Sequence, residues 1–259
     1  MNLTERKMVA VLKDLMMEHA VVGVKAEFEA EGTRTEELMR LKEICLSAGI
    51  PLTLKIGGCE AIRDMYDARS VGVNHLVAPM VETSFALKKY LKAIDIAFPE
   101  DEQDKVEFLI NIETIQAVRM FEDMLKVPGI NKLNGIVLGR SDLIGSMGLD
   151  KGRIDSEEVF SIAEGVFRQA KEKNMTCVIG GTISLNSLVF LRRLSGILDR
   201  YETRKVCFSC KDALKKDPAE GINKALEFEL LWLQNKQNYY KDISEEDQKR
   251  MLSLKERGK

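Results

Sequence analysis

The sequence predicts an α/β fold, a (β/α)8 or TIM barrel with an additional C-terminal helical extension, on three observations. Short β-branched or apolar runs alternate with longer stretches of helical period, which implies a parallel sheet covered by helices. The length, 259 residues, suits one α/β barrel. A doubly wound dinucleotide fold would need a G-x-G-x-x-G loop after its first strand, and that region reads GVKAEFEAEG.

Each element has its own signal. The N-terminus, MNLTERKMVAVLKDLM, has a helical pattern. Strands are expected at 21–27, 52–57, 75–81, 107–113, 135–139, 176–180 and along a long run at 196–208. A helix over 35–48 opens with a capping box, Thr33 followed three residues later by Glu36, and closes at Gly49. Further helices are expected at 61–70, ending before Gly72, and at 84–97, with Leu87, Tyr90, Leu91 and Ile94 on one face. Others follow at 115–126, stopping before Pro128, and at 156–173 and 184–194. Seven strands are legible. The eighth lies either near the N-terminus or in a split of the 196–208 run. The chain divides into a barrel domain, 1–217, and an extension, 218–259. In the extension an apolar helix at 222–233 precedes a polar stretch, 234–259. That order suits a lid, a homo-oligomer contact, or an outer helix with a frayed tail.

Composition excludes several classes. Hydrophobic types make up 45% and charged types 31%, which is not the signature of a disordered chain. Lys plus Arg count 39 against 41 Asp plus Glu, too even for nucleic-acid binding through a globally basic surface. No apolar run reaches the roughly 20 residues that a membrane helix requires, and the N-terminus lacks a secretory pattern. Five cysteines, an odd number, fit reduced thiols in a cytoplasm better than a disulfide framework. Cys207 and Cys210 form a CxxC that reads as a buried strand end rather than a redox pair or half a zinc site.

In a parallel barrel the chemistry lies where strands end. Charged residues recur there: Lys25 and Glu27, Lys55, Glu82, Glu113, Arg140 with Asp142, and Asp199 to Arg204. Glu113 and Asp142, just beyond neighbouring strands, form a pair of hard oxygen donors suited to Mg2+ or Mn2+, or else rim ion pairs. Arg140 either grips an anionic group or pairs with Glu82 or Glu113. Arg200, Glu202 and Arg204 share one face and Asp199, Tyr201, Thr203 and Lys205 the other, and period two leaves open which set faces the mouth.

The stretch FLINIETIQAVRMFEDMLKVPGINKLNGIVLGRSDLIGSMG, residues 108–148, resembles the HpcH/HpaI aldolase and citrate lyase β-chain family. The matching features are an IET closing one strand, a helix, a V-x-G-[IV] turn and a G-x-x-DL closing the next strand. HLVAPMVETSFALKKYL before it is similar to the family's LLVPMV strand and following helix. The resemblance implies a TIM barrel with a divalent metal, Mg2+ or Mn2+, on Glu113 and Asp142. It also implies cleavage or formation of a carbon–carbon bond next to a 2-oxo acid or acyl-CoA, through an enolate that the metal stabilises.

Three departures stand beside it. Where pyruvate aldolases carry an acidic–His pair, this chain has Glu27 and Phe28. Where they carry an arginine, it has Lys55, a point charge without a guanidinium fork. The expected glycine- and proline-rich loop is the polar AFPEDEQDK. The implied reading is a metal-dependent lyase acting on a small anionic carboxylate. Lys55 and Glu27 are its catalytic residues, with Glu27 the proton acceptor, and Arg140, Lys25, Glu82 and Arg204 bind substrate. Two alternatives remain: a Schiff-base aldolase using Lys55 or Lys25, and a ligand-binding or regulatory barrel that has lost the aldol base.

Overall fold

A computed structural model describes residues 1–257. Among these residues eight strands close a barrel in sequence order. They are β1 (Val21–Glu27), β2 (Leu52–Lys55), β3 (His75–Ala78), β4 (Glu107–Ile112), β5 (Gly135–Gly139), β6 (Thr176–Gly180), β7 (Arg200–Glu202) and β8 (Val206–Ser209). The helices are α1 (Leu3–His19), α2 (Thr35–Ala48), α3 (Ile62–Val71), α4 (Ser84–Ala97), α5 (Glu100–Gln103), α6 (Ile115–Met124), α7 (Arg140–Ser146), α8 (Glu157–Glu172), α9 (Leu188–Leu194), α10 (Cys210–Ala213) and α11 (Pro218–Arg257).

Strands β1 to β7 pair in parallel, each with the next. The 196–208 run splits into two strands, and β8 is antiparallel to both β7 and β1. The last β/α unit expected of a (β/α)8 barrel is thus a hairpin. Its turn, Thr203 to Lys205, lies at the C-terminal mouth, where the Thr203 N–H donates to the Val206 carbonyl at 3.0 Å. Strand β8 then returns to the opposite end, and α11 climbs back along the wall.

Period two sorts the strand residues. Val24 and Ala26 of β1 are fully buried against the helix layer, while Lys25 and Glu27 point into the barrel. Val77, Leu109, Val137 and Val178 form an apolar band across the barrel interior. Beneath it lies a polar floor. Arg200 donates to both Glu107 oxygens at 2.9 and 3.2 Å, and His75 Nδ1 lies 2.9 Å from Thr53 Oγ1. On β7 Arg200 and Glu202 therefore face inward, while Tyr201 stacks outside on Phe208 at 4.7 Å.

Helix α2 starts at Thr35, but its cap is one residue later than Thr33. Arg34 takes that place, and the Glu37 carboxylate accepts the Arg34 N–H at 3.2 Å. Helix α11 runs unbroken for 40 residues, about 60 Å at 1.5 Å per residue. Pro218, Gly221, Ile222, Ala225, Phe228, Trp232 and Asn235 form its buried stripe, packed chiefly on α1. The last tie to the barrel is Tyr240, whose hydroxyl donates to Glu37 at 2.6 Å, and nearly all of the described residues beyond it are exposed. No described helix is long and apolar enough to cross a membrane.

Candidate active site

A cavity of about 450 Å³ opens at the C-terminal ends of the strands. Its lining has three basic side chains, Lys25, Lys55 and Arg204, against six acidic ones, Glu27, Glu29, Glu113, Asp142, Glu202 and Glu229. Strands β1, β2, β4, β5, β6 and β7 bring inward residues to this layer. On β5 and β6 the last of these are Gly139 and Gly180, and both are required. A Cβ on Gly139 would stand 2.8 Å from Glu113 Oε2, and one on Gly180 would stand 2.9 Å from Glu202 Oε1.

Glu113 is 1% exposed and firmly placed. Its Oε1 accepts the Met80 N–H at 2.9 Å, and its Oε2 accepts Asn111 Nδ2 at 2.6 Å with Lys55 Nζ at 3.5 Å. Met80 holds a left-handed φ of 51° while presenting that N–H, a strained conformation for a side-chain-bearing residue. Burial raises the Glu113 carboxyl above its ordinary value. Lys55 and the two hydrogen bonds oppose the shift, and Asp142 adds to it. Asp142 is exposed, in the first turn of α7, and lines the same cavity.

The lysines are spent on carboxylates. Lys25 Nζ lies 2.5 Å from Glu202 Oε1 and 2.9 Å from Glu27 Oε1. Lys55 Nζ lies 3.0 Å from Glu29 and 3.5 Å from Glu113. Burial alone would lower both amines, but the carboxylates outweigh it and hold them above the ordinary lysine value. Burial also pushes Glu27 up, but Lys25, Lys55 and Arg204 reverse this and keep it below the usual range. Arg204, at the hairpin tip, has a side chain 52% exposed and, among the described residues, a single long ion-pair contact, 3.8 Å to Glu27 Oε2.

Two of the expected substrate residues are elsewhere. Arg140 is completely buried and points away from the mouth. Its guanidinium donates to Asp155, to the Gly180 and Gly181 carbonyls at 3.2 and 2.8 Å, and to Ser187, and it lies over the Phe190 ring. It therefore pins the β6–α9 loop and has no free fork for a ligand. Glu82 accepts the Thr114 hydroxyl at 2.6 Å, at the N-cap of α6, and does not line the cavity. The CxxC cysteines are free and buried, and burial pushes both thiols up, Cys210 to about 12. They are inert in this setting.

Sequence reasoning missed Asn111 and left Glu202 undecided. Asn111 lies two residues before Glu113 on the same strand, so period two alone would have placed it on the same face. Glu229 and Leu226, on α11, also line the mouth, and no strand-end argument reaches them.

Among the described residues no three His, Cys, Asp or Glu side chains stand together as a complete metal-ligand set. The mouth still fits a hard divalent cation, because Mg2+ takes one or two protein carboxylates and completes its shell with water and substrate oxygens. Glu113 and Asp142, which both line the cavity, are the carboxylates that would hold it. The excess of acids in the lining calls for a cation, and Asn111 Oδ1 is buried there without a hydrogen-bond partner. A second cavity, about 420 Å³ between α1, α2 and α11, offers no comparable site. Its buried Glu5 and Glu37 are taken by Arg40 and Asn235, and by Lys236 and Tyr240.

Fold and site together define a TIM-type α/β barrel with a carboxylate- and lysine-lined pocket at the strands' C-terminal ends. The chain belongs to the HpcH/HpaI aldolase/citrate lyase family, whose sequence profile matches residues 36–186. Lys55, Glu113 and Asp142 fall inside the matched span, and Lys25, Glu27, Glu202 and Arg204 fall outside it. The fold is similar to that of an HpcH/HpaI aldolase from Desulfitobacterium hafniense DCB-2, at 13% identity and a TM-score of 0.62 over 86% of this chain and 89% of the other. It is also similar to the citrate synthase SbnG, at 15% identity and a TM-score of 0.60 over 89% and 90% of the two chains. A third similar structure is RipC from Yersinia pestis, at 14% identity and a TM-score of 0.52 over 81% and 88%. No curated protein sequence matches the chain.

Proposed function

We propose that the protein is a divalent-metal-dependent carbon–carbon lyase, or the reverse condensing enzyme, acting on a 2-oxo acid or related carboxylate through an enolate. The observation that carries this reading is the meeting of Glu113 and Asp142 in one pocket, with Lys55 3.5 Å from Glu113. Mg2+ or Mn2+ held by the two carboxylates would supply Lewis-acid stabilisation of the negative charge that develops on the substrate. Lys55, kept cationic by its neighbours, faces the same space and offers a point charge to the enolate oxygen. Glu27 stays ionised and accepts the proton. Arg204, the exposed cation of the lining, takes the substrate's free carboxylate. The family includes aldolases and citrate lyases, so either direction of carbon–carbon chemistry suits this barrel.

The Schiff-base route is disfavoured, because Lys25 and Lys55 each pair with two carboxylates that hold the amine protonated and non-nucleophilic. The exposed end of α11 is offered as a homo-oligomer contact, and the reduced, mostly buried cysteines suit a cytoplasmic setting. The test of the reading is calorimetry with Mn2+ on the wild type and on the Glu113→Ala, Asp142→Ala double variant, followed by turnover of a panel of 2-oxo acids. Metal binding lost in a folded variant, with metal-dependent turnover in the wild type, supports it. Unchanged Mn2+ affinity in the variant refutes the site. Ligand-induced stabilisation without turnover would point to a binding barrel.

A further inference from the structure

No histidine lines the mouth, and Glu27 stands where the family resemblance places an acidic–His pair. Beside Glu27 is a buried acid–lysine–acid bridge. Lys25 Nζ sits between Glu202 Oε1 at 2.5 Å and Glu27 Oε1 at 2.9 Å, and the three side chains are 10%, 6% and 8% exposed. The bridge reaches from β1 to β7 past the intervening antiparallel strand β8. The Lys25 N–H donates to the Lys205 carbonyl at 2.8 Å, which fixes β1 against the hairpin. Behind Glu202, the Cys207 thiol donates to Oε2 at 3.5 Å, and Gly180 leaves room for the carboxylate.

This geometry divides the two Glu27 oxygens. Oε1 is held by Lys25. Among the described residues Oε2 has only the long contact to Arg204 at 3.8 Å, from a side chain that is half in solvent. The charged groups facing Glu27 are Lys25 on its own strand, Lys55 on β2, Glu202 on β7, and Arg204 and Lys205 on the hairpin. Lys205 in turn has Glu31 and Glu229 beside it.

We propose that Lys25 and Glu202 are positioning residues for Glu27, fixing its carboxylate so that Oε2 alone is presented to the cavity as the proton acceptor. The chemistry rests on the lyase reading above. In the cleavage direction the substrate hydroxyl proton passes to Oε2 and the hydroxyl-bearing carbon becomes a carbonyl. The electrons of the broken carbon–carbon bond stay on the enolate, which later takes the proton back from the Glu27 carboxylic acid at carbon. Lys25 transfers nothing, because its ammonium is needed by both neighbours. A carboxylate freed from a nearby cation regains about one to three pK units.

The test combines two readouts on Lys25→Arg and on the double variant Lys25→Met, Glu202→Gln, which removes one charge of each sign and so leaves the net charge of the cluster unchanged. The first is the titration of the Glu27 carboxyl, followed by 13C NMR as the difference against Glu27→Gln. The second is the pH profile of kcat/KM with a metal-loaded enzyme and a hydroxylated 2-oxo acid. In the double variant the Glu27 midpoint and the acid limb of the profile should both rise by one pH unit or more, with Mn2+ affinity unchanged, and Lys25→Arg should restore both. A Glu27 titration that does not move, or an arginine variant no better than the double variant, overturns the proposal. Absence of turnover in the wild type would sink the lyase reading, and the NMR titration would still decide the positioning claim.

Discussion

Replacing Gly139 by alanine tests the placement of Glu113 with a single carbon atom. The new Cβ would stand 2.8 Å from Glu113 Oε2 and 2.9 Å from Glu113 Cβ. The carboxylate end could swing away, but the Cβ is set by the β4 backbone, and β4 is held in register with β5 through Asn111↔Val137 and Ile112↔Leu138. Either the strands separate or Glu113 leaves its hydrogen bonds to Met80 and Asn111. Overpacking of this kind costs about 1–3 kcal/mol. Disturbing a group that orients a metal ligand weakens metal affinity by roughly 10- to 100-fold. Urea denaturation reads the first effect, and Mn2+ calorimetry reads the second. Gly180→Ala is the control. Its Cβ meets Glu202 at Oε1 and Cγ, 2.9 and 3.2 Å away, so the flexible part of that side chain can yield, and Mn2+ affinity should stay within about threefold of wild type. A Gly139→Ala protein that is destabilised yet binds Mn2+ as the wild type does would refute a metal site built on Glu113 in this pose.

Four further outcomes follow from the same geometry. Glu113 is a carboxyl raised by burial, so its stability contribution is present when it is protonated and is lost as pH rises through its folded value. Glu113→Gln should therefore stabilise the metal-free protein at pH 7 by roughly 0.5–2 kcal/mol in chemical denaturation, while abolishing Mn2+ binding. On the barrel floor burial pushes His75 down to about 4, Glu107 opposes the shift and Arg200 adds to it. Because the unfolded chain takes up that proton first, stability should fall as pH drops from about 6.5 towards 4, and His75→Gln should flatten that slope. Borohydride treatment with pyruvate should leave no adduct on Lys55 or Lys25 in a mass spectrum. Truncation after Asp242 should leave the unfolding midpoint within about 2 °C of wild type, since it removes mostly exposed helix. A lower sedimentation mass in the truncated protein would support assembly through α11, and an equal mass would count against it.

Much of the fold was legible because the local signals agree with the tertiary outcome. Strands β1, β5 and β6 and helices α2 and α4 begin and end at the expected residues. The split of the 196–208 run was one of the two places expected for the eighth strand, but its turn and the antiparallel direction of β8 were not legible, since Thr203, Arg204 and Lys205 carry no Gly, Pro or Asn turn signal. The length of α11 was underestimated because residues beyond 233 are polar but strong helix formers, and helix propensity needs no apolar stripe once a packed helix has nucleated. At the site, recurrence of charge at strand ends located Glu113, Asp142, Lys55, Lys25 and Glu27. Arg140 obeys the same rule in sequence and breaks it in space. Its direction is set by Asp155 and by two carbonyls of the β6–α9 loop, which no local pattern around Arg140 reveals.

The most direct test of the account is turnover of hydroxylated 2-oxo acids by the wild-type protein before and after chelation. The account predicts carbon–carbon cleavage that EDTA abolishes, that Mg2+ or Mn2+ restores, and that Asp142→Asn lacks at every metal concentration. Cleavage that survives EDTA, or that persists in Asp142→Asn, would contradict it.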